Sequence, residues 1–349
     1  MKRVVLVGVG MVADTHVAAM AASDAVELYG VLSANADRAE AFAAKCADIH
    51  GMDAPKVFEN MEAVVADDQV DFVDICTPPN ARLDLVQVLV AARVPVLMEK
   101  PIERTAEAAE TIVRLCEEAD VPLGIVFQHR MRESSQAMAG LLARGALGDL
   151  ALVEIAVPWW RPQAYYDEPG RGTYSRDGGG VMISQAIHTL DLALTLTGPV
   201  SKVQAMTATT KLHSMESEDF VTAGLVFDTG VPGSFVASTA SFPGHPESIA
   251  LHGTKGSATL KSGQLTVDWQ DGSSEVIGEA GGTGGGADPM AFTHEWHQGV
   301  LEDFAAALDE GRPPAASGRD ALMVHRLIAA LTLSSEQERA IHLSDLEQS

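Results

Sequence analysis

Arg3-Val4-Val5-Leu6-Val7-Gly8-Val9-Gly10-Met11-Val12-Ala13 decides the reading of the N-terminal half. Its first five residues form an apolar strand, the glycines follow at once, and residues 11–22 continue as a helix. A strand that passes through a glycine turn into a helix has the form of the first βα turn of a dinucleotide-binding unit. Gly8 suits the tight turn, and Gly10 lets backbone approach a pyrophosphate. Ala13, where a third glycine is usual, still permits close packing of helix on strand. The helix N-terminus, beginning at Met11 and Val12, would face the anion. Met1-Lys2-Arg3 followed by an apolar run also resembles a signal peptide, but the glycine turn inside that run fits a buried first strand better.

Outward from this unit, strands at 26–32, 56–58, 71–76, 94–98 and 121–127 alternate with helices at 36–46, 61–66, 81–92 and 106–119. The alternation predicts an α/β fold, a doubly wound parallel sheet over residues 1–122. The pattern then changes. A helix at 134–144, a strand at 151–158, a Pro/Gly/Tyr-rich stretch at 159–180 and a helix at 181–197 come first. Period-two segments follow at 202–209, 220–227, 233–241, 248–252, 257–261 and 265–269. These predict an α+β domain over 123–349 with a large, mostly antiparallel open sheet. Residues 280–287 read as a flexible glycine-rich loop, and helices at 294–308 and 318–334 close the chain.

Composition limits the partners. In 349 residues, 46% are hydrophobic, which supplies a core and excludes a disordered chain. The formal charge of −24 repels phosphates, so neither nucleic acid nor an anionic membrane is expected as a partner. No apolar run is long enough to span a bilayer. Cys46, Cys76 and Cys116 cannot all pair and lack metal-ligand spacing, which points to a reducing cytoplasm. The acidity is uneven. Residues 123–180 hold six basic and six acidic side chains, so the one neutral stretch includes the loop where a small anionic substrate would approach.

Three further places carry chemistry. The second strand ends at Ser33, where an acidic residue usually binds a ribose 2′-hydroxyl. Serine does not repel a 2′-phosphate and Arg38 is the nearest cation, so NAD and NADP both remain open. Glu99-Lys100-Pro101 ends a buried strand, the place where ligands bind in such sheets. An oxidised nicotinamide nearby would lower the lysine pKa and suit it to proton transfer; the alternative is a loop lysine paired with Glu99. After Gly178-Gly179-Gly180, Ser184 and His188 share a helix face at i and i+4, with Asp191 one turn on to orient a neighbour. His188 is then an acid–base group or a satisfied core histidine. His294 and His297 are three apart rather than at zincin spacing, so that segment reads as a helix start with Thr293 as N-cap, His297 facing inward and no metal.

In order, Gly8-x-Gly10-x-x-Ala13, Thr77-Pro78-Pro79-Asn80, Glu99-Lys100-Pro101 and the glycine run before His188-x-x-Asp191 resemble the Gfo/Idh/MocA oxidoreductase family along essentially the whole chain. The resemblance implies a Rossmann domain, a mixed α/β domain whose open sheet makes a homodimer or homotetramer, and NAD(P)-dependent chemistry on a secondary alcohol of a sugar, polyol or sugar derivative. It implies Lys100 and His188 as catalytic residues. Cofactor contacts are expected from Gly8, Gly10, Met11, Val12, Ser33, Arg38, Thr77, Pro78, Asn80, Glu99 and Lys100. Ser184 stands where many members carry aspartate or asparagine. Arg161, Tyr166, Ser184 and His188 are the expected substrate contacts. Trp159, Trp160, Tyr165 and Tyr166 either stack on substrate or pack the interior. Arg161, Arg171 and Arg176 either hold a substrate anion or pair with Asp167, Glu168 and Asp177. Two other readings stand beside the sugar dehydrogenase: oxidation of a cyclic, carboxylated or plain dihydrodiol, and a cofactor-binding regulator without catalysis.

Overall fold

In the computed structural model, which describes residues 1–281 and 292–348, the chain forms two compact units. The first takes residues 1–103, 107–128 and 293–321; the other described residues form the second. The glycine-rich loop expected at 280–287 falls, beyond residue 281, outside the described residues.

The first unit contains β1 (Lys2–Val7), α1 (Ala13–Ala21), β2 (Val26–Leu32), α2 (Ala36–His50), β3 (Lys56–Val57), α3 (Met61–Val65), β4 (Phe72–Ile75), α4 (Arg82–Ala91), β5 (Val96–Glu99), α5 (Ala106–Glu118) and β6 (Leu123–Val126). The strands pair in parallel in the order β3-β2-β1-β4-β5-β6. Val4, Val5, Leu6, Phe72, Val73, Ile75, Val96 and Met98 are buried, the continuous apolar strand expected when helices cover both faces. The order reverses between β1 and β4, and in such sheets ligands bind beyond the carboxyl ends of the strands at that point.

The second unit contains α6 (Glu133–Ala143), β7 (Leu150–Pro158), α7 (Gln163–Tyr166), a π-helical turn at Met182–Ala186 running into α8 (Ile187–Thr197), then β8 (Val200–Ala208), β9 (Phe220–Phe227), β10 (Pro232–Ser238), β11 (Ser248–Gly253), β12 (Gly256–Lys261), β13 (Gln264–Trp269) and β14 (Ser274–Ile277). With β15 (Ile341–His342) they make a nine-stranded sheet, β14-β13-β12-β11-β7-β10-β9-β8-β15. Every pairing is antiparallel except β7 with β10. Thus β7, first in sequence, sits between strands formed much later. On one face its Val153, Ile155 and Val157 are buried. On the other, Met206, Thr222, Val236, Ala156 and Ser248 fall in register across five strands, with Met206 57% and Val236 41% exposed.

The division expected after residue 122 differs in extent. β6 is the edge strand of the parallel sheet, so the first unit continues to residue 128. The chain also returns to it. α9 (Glu295–Glu310) buries Val300, Leu301 and Phe304, and the Phe304 ring meets Phe72 edge-on at 5.1 Å. Phe304 occupies the space a side chain at Gly124 would need. The last helix is α10 (Gly318–Gln337).

Candidate active site

The glycine turn has the geometry that the sequence suggests. Gly8 has φ +101°, and a Cβ there would lie 2.9 Å from the Cys76 carbonyl carbon at the end of β4. A Cβ at Gly10 would meet nothing within 4 Å, so backbone there is open to a ligand. α1 begins after Val12, which gives no side-chain cap, while the Ala13 amide donates to the Gly10 carbonyl at 3.2 Å and the Thr15 amide to the Val12 carbonyl at 3.0 Å. Ser33 follows β2, and its Oγ accepts from the Asn35 amide at 3.4 Å. Asn35 caps α2 by accepting from the Arg38 amide at 2.9 Å. The Arg38 guanidinium reaches back to donate to the Val9 carbonyl at 3.3 Å. Ser33 and Arg38 therefore belong to the same edge as the glycine turn, beside Thr77, Pro78 and Asn80, which follow β4.

Lys100 comes directly after β5, half-buried, with a cis peptide to Pro101. Two groups that the sequence reading missed support this corner. Arg82, buried at the start of α4, donates through Nε and Nη2 to the Thr77 carbonyl at 3.0 and 2.7 Å. Its Nη1 donates to the carbonyls of Glu99 and Pro101. One guanidinium thus ties the loop after β4 to the loop after β5, and burial pulls its pKa down to about 10. The second group is a buried ionic cluster. His16 of α1 bonds through Nδ1 to Asp74 of β4 at 2.5 Å and through Nε2 to Glu99 at 3.1 Å. His297 of α9 brings Nε2 within 3.7 Å of the same carboxylate and its ring within 5.1 Å of His16. Burial opposes charge on His16, but Asp74 overcomes it and holds the imidazolium pKa well above the usual value. Burial likewise pushes Glu99 up, and the bonds from His16 and His297 outweigh it, leaving Glu99 well below the usual range. Burial pushes His297 down.

Glu99, expected among the cofactor contacts, thus has its carboxylate between two histidines, and the inward placement expected of His297 is found. The N-cap of α9 is His294, without a side-chain capping bond, and not Thr293 as expected; Thr293, one position earlier, accepts from the Glu295 amide at 3.3 Å. Ligand atoms of His16, Glu99 and His297, and of His16, Asp74 and Cys76, lie within 4.8 Å of one another, close enough for a metal. In this arrangement both His16 nitrogens are already engaged by carboxylates.

In the second unit, His188 lies buried in the first turn of α8, and its ring stacks on His129 at 4.9 Å. Asp191, one turn on, accepts two bonds from Arg130: Nε to Oδ2 at 2.8 Å and Nη2 to Oδ1 at 2.6 Å. Asp191 is thus ion-paired with Arg130. Ser184 is half-buried in the π-turn. A Cβ at Gly180 would lie 1.8 Å from the Glu218 carbonyl oxygen, so only glycine fits there. Glu218 also caps the turn, its carboxylate accepting from the amides of Gly180 at 3.1 Å and Met182 at 3.0 Å.

The loop at 159–180 is largely built into the second unit. Tyr166 is buried and its hydroxyl shares a 2.6 Å hydrogen bond with Thr239. Trp159 donates to Glu247 at 3.3 Å. Arg161 is buried over the rings of Trp159 and Tyr165 and donates to the Trp160 carbonyl at 2.9 Å. Arg171 pairs with Glu168 at 2.9 Å and donates to the Tyr165 hydroxyl. Arg176 donates to the Pro169 carbonyl at 3.0 Å and lies 3.8 Å from Asp177. Packing thus occupies Trp159 and Tyr166, and Tyr165 gathers two guanidinium groups around one ring.

Residues 2–127 match the model of an oxidoreductase family with an NAD-binding Rossmann fold, and residues 135–259 match the GFO/IDH/MocA C-terminal domain. The chain belongs to the GFO/IDH/MocA oxidoreductase family. Like other family members, it is an NAD-dependent dehydrogenase acting on CH–OH donors. It is 26% identical to the D-apiose dehydrogenase of Paraburkholderia graminis, over 98% of this chain and 90% of that protein. It is 23% identical to the myo-inositol 2-dehydrogenase of Thermotoga maritima, over 99% of each. Among solved structures, the WlbA dehydrogenase of Bordetella pertussis, in complex with NADH and UDP-GlcNAcA, superposes with a TM-score of 0.81 at 26% identity, covering 98% of both chains.

Proposed function

We propose that this oxidoreductase interconverts a secondary alcohol and its ketone on a sugar, polyol or sugar derivative, with NAD or NADP as partner, and that Lys100 and His188 handle the proton. The observation that carries this reading lies in the first unit. The carboxyl ends of β1, β4 and β5 bring the Gly8–Gly10 turn, Thr77–Asn80 and Lys100 to one edge, at the point where strand order reverses and ligands bind in such sheets. The open backbone at Gly10 and the uncapped start of α1 fit a pyrophosphate. When bound, the nicotinamide accepts or donates the hydride. Ser33 and Arg38 suit either a ribose 2′-hydroxyl or a 2′-phosphate.

In this reading Lys100 holds the substrate hydroxyl and exchanges its proton. Arg82 fixes the backbone on either side of it, so the ammonium works from a rigid base. His188, kept in place by His129 and the Arg130–Asp191 pair beneath it, is the second proton-handling group. Position 184, four residues before His188, holds a serine rather than a carboxylate. Acid–base help of this kind contributes about 10²–10⁴-fold; orientation supplies the rest. Arg161 and Tyr166 are proposed to shape the substrate side, Tyr166 through its ring because its hydroxyl is bonded to Thr239. Named relatives that act on apiose and inositol support the sugar and polyol class.

The exposed row across β8, β9, β10, β7 and β11 is proposed as the surface that forms a homodimer or homotetramer. The three free, buried cysteines suit a reducing cytoplasm. Cofactor reduction is to be followed with NAD and with NADP against sugars, inositols, sugar acids and dihydrodiols. Turnover of a sugar or polyol that Lys100→Met abolishes, with cofactor affinity kept, supports the reading. Turnover of dihydrodiols alone, or cofactor binding without turnover of anything in the panel, overturns it.

A further inference from the structure

The second unit contains a small cavity that the proposed reaction does not use. It lies between the first turn of α6, the start of α8, and β11 with β12. Its polar lining comes from His129, Arg132, Ser134, Ser135, Thr189 and Glu247. Room for the centre of a water-sized sphere amounts to ≈ 10 Å³, enough for one small particle. Three hydroxyls face it without a hydrogen-bond partner in the protein: Ser134, Ser135 and Thr189, only 1%, 2% and 1% exposed. A buried hydroxyl left in that state costs about 1–3 kcal/mol. Three of them around one space, contributed by two helices, imply an occupant.

The surrounding charge identifies its chemistry. Ser134 and Ser135 sit in the first turn of α6, whose N-cap residue Arg132 makes no side-chain capping bond, so the first amides keep their partial positive charge. The Arg132 guanidinium is buried in the wall and Lys261 stands at its rim. The one carboxylate, Glu247, is already bonded by Arg132 Nη1 at 2.8 Å and Trp159 Nε1 at 3.3 Å. The buried Arg132–Glu247 pair is neutral as a whole, so the net positive contributions come from the α6 terminus and Lys261, with three hydroxyl protons free to turn inward.

We propose that this cavity is a binding site for a single monatomic anion, with chloride as the physiological occupant. Water would satisfy the hydroxyls but would gain less than an anion from the helix terminus and Lys261. Sulfate and phosphate exceed the space. The cavity borders His188 through His129, which lines it and stacks on that ring, but the proposal rests on the hydroxyls and stands whether or not the Lys100 and His188 reading holds.

Bromide is the probe. Crystals of the full chain grown in sodium bromide are expected to show an anomalous peak within hydrogen-bond reach of Ser134, Ser135 and Thr189. In solution, raising chloride from 10 to 500 mM, with gluconate holding ionic strength constant, is expected to raise Tm by about 2–5 °C. Thr189→Val should remove at least half of that rise; should that variant not fold, Ser135→Ala replaces it. Solvent density without anomalous signal overturns the proposal. So does a peak with no chloride-specific Tm change, which would mark binding at crystal concentration only, or an undiminished rise in the variant.

Discussion

At the scale of single residues, position 33 is proposed to face the cofactor's 2′ group. Serine there is neutral, and Arg38 lies along the same edge with its guanidinium on the Val9 carbonyl. Ser33→Asp should lower kcat/KM with NADP by about tenfold or more, because a carboxylate would face a 2′-phosphate, while NAD turnover changes little. Steady-state kinetics with both cofactors checks this. Lys100→Met should lower kcat by about 10²–10⁴-fold with cofactor Kd within a few-fold, read by fluorescence titration. Lys100 and the glycines were legible because each is a local signature. Arg82 and Asp74 were not. The signal was present, a charge at the head of an apolar helix and another inside a buried strand, but their partners are main-chain carbonyls and a histidine far away in sequence.

At the scale of elements, two features hold loops in place. Arg82→Met would leave the carbonyls of Thr77, Glu99 and Pro101 without their donor, and a loss of about 3 kcal/mol in urea unfolding is expected. The His16–Asp74–Glu99 cluster joins α1, β4 and β5. The Glu99 pKa is depressed, so its contribution is present above the unfolded value near 4.5 and is lost as pH falls through the folded value. The His16 pKa is raised, so its contribution is full below the unfolded value near 6.5 and is lost as pH rises through the higher folded value. The cluster therefore stabilises most between about pH 4.5 and 6.5. His16→Gln should flatten the alkaline side of the stability–pH curve, measured by unfolding at a series of pH values. Boundaries read from the sequence fell within a few residues for most strands, since apolar runs end abruptly at Gly, Pro and Asp. β14, β15 and α7 escaped because segments of two to four residues carry no measurable period.

At the scale of the whole molecule, the open face of the nine-stranded sheet is the candidate for self-association. Val236→Glu would put a charge in the middle of the exposed row and should shift the particle mass toward the monomer in light scattering. An unchanged mass would place the assembly surface elsewhere. The sequence by itself determined the fold class, the parallel first sheet and the glycine turn, and it singled out Lys100 and His188 as candidates, because periodicity and short motifs are properties of neighbouring residues. Only the tertiary structure decided that α9 completes the first unit, that β7 enters the second sheet beside the later β10, and that Arg82, His16 and Glu218 hold the loops at the candidate site. Each depends on groups tens to hundreds of positions apart being brought to within a hydrogen bond, and no local pattern encodes which of them will meet.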